Sequence, residues 1–248
     1  MHTIVLATQK GGSGKSTLAI GLALAAMQEG HTVRLIEATA QGTLSNWKQR
    51  RAEAEPHVES VRSAGDVEQR LEIFDRNGVT LTIIDTAGGI SAITTSAVRY
   101  ADLVLIPARP SPADIEATAP TLSLVRAWRK PFAFVLNQTA IRGQRVGQAA
   151  TTLGNEAALD VSDVLAQPFI VMRNDHQDAL GAGLAVTEYA PAGKSAEEIR
   201  GLWKWVEKKL GVTAPVVERL TLNEFRAKPD FVPTMFLPAP AEPSAIAG

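Results

Sequence analysis

The stretch Lys10-Gly11-Gly12-Ser13-Gly14-Lys15-Ser16-Thr17 constrains this chain more than any other. It follows the apolar run Thr3-Ile4-Val5-Leu6-Ala7 and opens an alanine-rich apolar segment from Leu18 to Met27. A strand that turns through glycines into a helix leaves several backbone N–H groups pointing at one spot, at the positive end of the helix dipole. That is a phosphate cradle. Gly11, Gly12, Ser13 and Gly14 are its candidate backbone ligands, continued by Lys15, Ser16 and Thr17 at the helix start.

The spacing departs from an ordinary Walker A loop, in which two glycines are separated by four residues and the second precedes Lys and Ser/Thr. Counted back from Gly14, the first glycine would fall on Gln9. Lys15 still reaches the terminal phosphates and Ser16 still offers its hydroxyl to Mg²⁺, while a second lysine, Lys10, stands at the start of the loop. This Lys-Gly-Gly-x-Gly-Lys-Ser/Thr form resembles the deviant Walker A of the ParA/MinD ATPases. The resemblance covers roughly residues 2 to 210. It implies ATP or ADP with Mg²⁺ as ligands and a SIMIBI-type P-loop NTPase. In that family the early lysine crosses to the nucleotide of a partner subunit, so the resemblance makes Lys10 the residue by which ATP joins two copies.

Cysteine is absent from the 248 residues, which removes thiolate metal sites and cysteine nucleophiles. Among relatives of this kind it also excludes the nitrogenase iron protein and the Mrp-type scaffolds, which hold iron–sulfur clusters. The four histidines show no ligand spacing. A net charge of −1 supplies no global attraction to nucleic acid, so any DNA contact has to come from a local basic face. No run of about twenty apolar residues is present, and the chain is expected to be cytoplasmic. With 45% hydrophobic residues it can bury a large core. Residues 1–210 are expected to form one α/β domain, a mostly parallel β-sheet with helices on both faces. Residues 211–248, Pro/Ala-rich, are expected to form an extended or partly disordered extension.

After the second expected strand, Thr32 to Glu37, the segment Glu37-Ala38-Thr39-Ala40-Gln41-Gly42-Thr43-Leu44-Ser45-Asn46-Trp47 resembles the first switch of ParA proteins, matching at Gln41, Gly42, Leu44, Asn46 and Trp47. It departs from the family at the acids: Glu37 and Thr39 stand where the family has Asp, and Ala40 where it has Pro. The second Asp positions or activates the attacking water in the family, and a threonine hydroxyl does not accept a proton at neutral pH. The expectation is ATP binding with impaired or very slow hydrolysis, Glu37 being the candidate substitute or a member of the Mg²⁺ shell. A divergent loop with unimpaired hydrolysis is the alternative.

A helix is expected over Ala64 to Asn77, with Val67, Leu71 and Phe74 on one face. The β-branched run Val79 to Ile84 ends in Asp85 and is followed by Thr86-Ala87-Gly88-Gly89. This reads as Walker B with the second switch: Asp85 and Ser16 serve the metal, and the Gly88 amide senses the γ-phosphate. Ala101 to Pro107 is a further strand, and Arg109-Pro110-Ser111-Pro112-Ala113-Asp114 leads into a helix to about Trp128, capped by Ser111 or Asp114. That turn resembles the small ParF-like branch, where it lies near the dimer interface. Pro131 to Gln138 is a strand whose Asn137, by resemblance, reads the adenine edge or, more plainly, forms a turn. Arg142, Arg145 and a helix to about Leu153 precede a last strand at Pro168-Phe169-Ile170. The final helix, Ser195 to Leu210, carries Arg200, Lys204, Lys208 and Lys209 off its apolar face.

The resemblance implies a partitioning or positioning ATPase that dimerises with ATP and binds DNA nonspecifically on the nucleoid. A ParB-like or cargo adaptor protein would stimulate it. The operator-binding activity of longer ParA proteins is not expected, since no helix-turn-helix precedes the loop. Two alternatives stay open. A MinD-like membrane switch would need a basic amphipathic C-terminal helix, and stable membrane association is not expected; a small-molecule ATP-dependent enzyme on the same fold would not need Lys10.

Overall fold

The computed structural model describes residues 1–141 and 144–212. Six strands, β1 (His2–Thr8), β2 (Val33–Ala38), β3 (His57–Ser60), β4 (Leu81–Gly88), β5 (Leu103–Ala108) and β6 (Phe132–Leu136), form one sheet in the order β3-β2-β4-β1-β5-β6. Every pair is parallel. β1 shows why: Ile4 and Leu6 face one core and Val5 and Ala7 the other, all four fully buried, so helices have to cover both faces.

On the first face lie α1 (Lys15–Gln28), α2 (Thr43–Arg50), α9 (Asp175–Gly181), α10 (Val186–Tyr189) and α11 (Lys194–Leu210), meeting around Leu22, Trp47 and Trp203. On the second lie α3 (Ala64–Arg76), α4 (Ala92–Tyr100), α5 (Pro112–Glu116), α6 (Ala119–Ala127), α7 (Arg145–Ala157) and α8 (Val161–Val164), around Val5, Phe74 and Phe134. The carboxyl ends of β1, β2, β4, β5 and β6 converge on the glycine loop, the place where parallel α/β sheets carry ligands.

Three local expectations change. The single helix expected to follow the Arg109–Asp114 turn and run to about Trp128 is two helices, because Pro120 has no N–H to carry the ladder across Thr118 and instead sits at the start of α6. Pro168-Phe169-Ile170 is not a strand. Pro168 gives no donor, and the chain around it follows the sheet edge through isolated contacts: the bridges Phe134–Leu165 and Thr139–Val171 and the bonds from Ala166 N to Phe134 O at 2.9 Å, Ile170 N to Leu136 O at 3.0 Å and Thr139 N to Ile170 O at 3.0 Å. The edge strand β3 was not anticipated: His57-Val58-Glu59-Ser60 is short and largely polar. Arg142 and the chain from residue 213 onward, hence nearly all of the expected Pro/Ala-rich extension, lie outside the described residues.

His31, just before β2, ties α11 to this frame. Its buried ring meets Trp203 edge-on at 5.3 Å, with Nδ1 3.2 Å from Thr80 Oγ1 and Nε2 3.8 Å from Glu207 Oε1. Burial holds its pKa below 6.5 although Glu207 pulls the other way. A histidine depressed in the fold contributes stability above its unfolded pKa and loses it as pH falls through 6.5 toward the folded value. His31→Leu is therefore expected to lose less thermal stability than the parent between about pH 7.5 and 5.5. Parallel melting curves at both pH values check this; equal losses would contradict it.

Candidate functional site

The loop between β1 and α1 is shaped by Gly12 (φ +73°) and Gly14 (φ +90°), both in the left-handed region that side chains resist. Gly14 is the N-cap of α1 and no side chain caps that end, so the first-turn amides are offered to a ligand. Lys15 is buried, its Nζ 3.4 Å from Lys10 O. Burial lowers its pKa, opposed by the charge of Asp85.

Ser16 Oγ donates to Asp85 Oδ2 at 2.6 Å, joining the start of α1 to β4. Asp85 is fully buried, and its Oδ1 has no hydrogen-bond partner among the described residues. Burial pushes its pKa up to about 6, with Ser16 and Lys15 opposing and Glu37 adding to the rise. A buried carboxylate with an idle oxygen beside a hydroxyl is a donor set that suits Mg²⁺, so the residues present fit the ion. Gly88 is pressed on the loop: a Cβ there would lie 3.2 Å from Gln9 O and 3.4 Å from Gly11 N. A Cβ at 88 would crowd the loop backbone, which would have to give by a few tenths of an ångström.

Glu37 makes contacts that the sequence reading does not include. It is the register partner of Asp85, yet Oε1 accepts from Leu44 N at 2.7 Å and Ser45 N at 3.3 Å, and Oε2 accepts from the Ser45 hydroxyl. The side chain acts as the cap that α2 otherwise lacks, since Gly42 supplies none. Glu37→Ala is expected to cost about 2–3 kcal/mol of stability, with phosphate release per bound ATP unchanged. Urea unfolding and a turnover assay check both halves; loss of turnover without loss of stability would return Glu37 to the chemistry. Thr39 follows, lining a cavity of about 520 Å³ that it shares with Glu37, Ser60 and Arg62; its Oγ1 accepts from Gln41 N at 3.3 Å.

Lys10 is held by a contact that the sequence does not show. Its Nζ lies 2.9 Å from Oδ2 of Asp114, which also receives Arg109 Nε at 2.9 Å on Oδ1 and the Ser111 hydroxyl. Asp114 is 3% exposed, Lys10 and Arg109 more than a third. Burial pushes the Asp114 pKa up, but Ser111, Lys10 and Arg109 outweigh it and leave the carboxyl below its usual range. These groups wall a cleft of about 690 Å³ together with Gln138 and Arg145. A smaller cleft of about 120 Å³ lies against Gly14 and Thr17, between Asn137 and the Met172–Arg173 segment. The structure thus brings the loop, Asp85, Gly88 and Asn137 to one end of the sheet. Arg109, Asp114 and Gln138 are not named as site residues in the sequence reading; there the Arg109-to-Asp114 turn reads as a helix cap and, by resemblance, as lying near a dimer interface.

A family model described as VirC1 protein matches residues 1–184. The chain belongs to the VirC1 family. Its relatives place it among the ParA/MinD partitioning and positioning proteins, which are P-loop ATPases. This VirC1-family chain is 29% identical over 204 residues to Maintenance of carboxysome distribution protein A of Halothiobacillus neapolitanus, covering 79% of this chain and 91% of that protein. It is 32% identical over 130 residues to Protein ParA of Rhizobium radiobacter, covering 50% and 56%. In fold it matches the MinD protein of Pyrococcus horikoshii complexed with Mg-ADP, with a TM-score of 0.68 at 15% identity over 87% of this chain and 99% of that one. No helix among the described residues of this VirC1-family chain is long and apolar enough to cross a membrane.

Proposed function

We propose that the protein is an ATP-driven positioning ATPase whose ATP-bound form is a dimer joined through Lys10. The observation that carries this reading is Lys10 itself, a second lysine at the mouth of the phosphate loop, held on a neighbouring carboxylate and more than a third exposed. Lys15 and the amides from Gly11 to Thr17 bind the phosphates of ATP. Ser16 and Asp85 would hold Mg²⁺, which when bound neutralises charge on the phosphates. The Gly88 amide, against the loop backbone, registers the γ-phosphate. Thr39, without a carboxylate, leaves the attacking water poorly positioned, so turnover is slow until a partner protein supplies what is missing.

The dimer carries cargo along DNA without reading sequence. Support comes from Lys204, Lys208 and Lys209, exposed on α11; Lys204 and Lys208 lie away from its buried Ile199-Leu202-Trp203-Val206 stripe, and Lys209 lies at the edge of that stripe, where its Nζ donates to Asp163 O at 2.9 Å. Anisotropy of a labelled duplex of arbitrary sequence tests this. Binding is expected with ATP–Mg²⁺ and not with ADP–Mg²⁺, and a combined Lys204→Ala, Lys208→Ala, Lys209→Ala variant is expected to bind with a shallower salt slope, by about three counterions per chain. Equal binding in both nucleotide states, or an unchanged salt slope in the variant, would remove this surface from the proposal.

A further inference from the structure

The carboxyl end of β6 grips the phosphate loop from behind. Gln138 Nε2 donates to Gly12 O at 2.9 Å, and Asn137 Nδ2 donates to Ser13 O at 2.8 Å. The two residues also lock each other, because Gln138 N donates to Asn137 Oδ1 at 2.9 Å. Asn137 is in turn fixed to β5 by its own N–H on Ala108 O at 2.9 Å. Gln138 stands at φ +53°, a conformation that residues with a Cβ adopt only when their surroundings impose it.

A trans peptide is planar, so its C=O and N–H point in opposite directions. Pulling the Gly12 carbonyl toward β6 therefore turns the Ser13 N–H away from β6, and pulling the Ser13 carbonyl does the same for the Gly14 N–H. Glycines flank these peptides, and without restraint such a backbone has many orientations open to it. We infer that Asn137 and Gln138 are positioning residues for the phosphate loop: they hold two successive carbonyls so that the Ser13 and Gly14 amides face the phosphates before nucleotide arrives. The packing agrees, since a Cβ on Gly14 would lie 2.2 Å from Asn137 Nδ2. The clamp leaves no room for anything but glycine there. Nδ2 is on the loop and Oδ1 on its neighbour's amide, so the Asn137 side chain supports the phosphate end of the site.

This inference rests on the ATP reading of the same site, and the test separates the two. Affinities for ATP, GTP and inorganic tripolyphosphate, each with Mg²⁺, are measured by competition against a fluorescent ATP analogue on the parent protein, Gln138→Ala and Asn137→Ala. Gln138 is half-buried, and its truncation removes the Gly12 contact without opening the core. The expected result is a loss of about fivefold for Gln138→Ala, equal for all three probes, with the ATP-to-GTP ratio unchanged. Asn137→Ala is expected to show the same pattern with a larger loss. Loss confined to ATP, with tripolyphosphate unaffected, or no loss in Gln138→Ala, would overturn the clamp while leaving the ATP reading in place. A parent protein that binds none of the three probes would overturn that reading and the clamp with it.

Discussion

Lys10→Ala is expected to bind ATP–Mg²⁺ about as well as the parent and to remain a monomer. Lys10 supplies none of the loop's backbone donors, and Lys15, Ser16 and Asp85 are untouched by its loss, so the site within one chain survives. What disappears is a charge that the proposed dimer presents to the opposite nucleotide. Removing one partner of a desolvated charge pair at an interface costs roughly 2–5 kcal/mol, a dimer weaker by about 30-fold to several thousand-fold. The fold tolerates the change, because Asp114 keeps Arg109 and the Ser111 hydroxyl when Lys10 goes. The same reserve lets Lys10 swing away in the parent without stranding a buried carboxylate. Asp114→Asn, which loosens the hold on Lys10, is expected to shift the dimer the other way by a few-fold, since the pair is partly exposed and worth little more than about 1 kcal/mol. Sedimentation of both variants with ATP–Mg²⁺ decides: a Lys10→Ala dimer of parental affinity would show that the lysine never crosses.

Thr39→Asp is expected to raise phosphate release by roughly 10²-fold. Thr39 follows Ala38, whose register partner is Thr86, immediately beyond Asp85. A carboxylate there would stand at the same sheet end as the proposed metal site and could accept a proton that the hydroxyl cannot. The Glu37 oxygens accept from Leu44 N and the Ser45 hydroxyl at the start of α2. Phosphate release measured at saturating ATP checks this. Unchanged turnover in Thr39→Asp would mean that the water is placed by another group and that the slow hydrolysis proposed for the parent has a different cause.

The phosphate loop and the buried strands β1, β4, β5 and β6 were legible in the sequence because each is a local signal: glycines at a strand-to-helix turn, and apolar runs that suit a sheet covered on both sides. β3 was not, since an exposed edge strand of four residues has no apolar signature. The break before α6 was in principle readable from Pro120. The ion pair of Lys10 with Asp114 was not readable, because 104 residues separate them and only the sheet order brings β5 beside β1. Asn137 marks the intermediate case. Its place at the strand end follows from the sequence, whereas the direction of its amide depends on where the loop carbonyls lie.

The measurement that tests the central claim most directly is the molar mass of the parent protein, by light scattering after size-exclusion chromatography, without nucleotide, with ADP–Mg²⁺ and with ATP–Mg²⁺. A mass that doubles with ATP–Mg²⁺ alone is the predicted result. A persistent monomer in all three states, releasing phosphate briskly, would contradict both the role of Lys10 and the positioning function built on it.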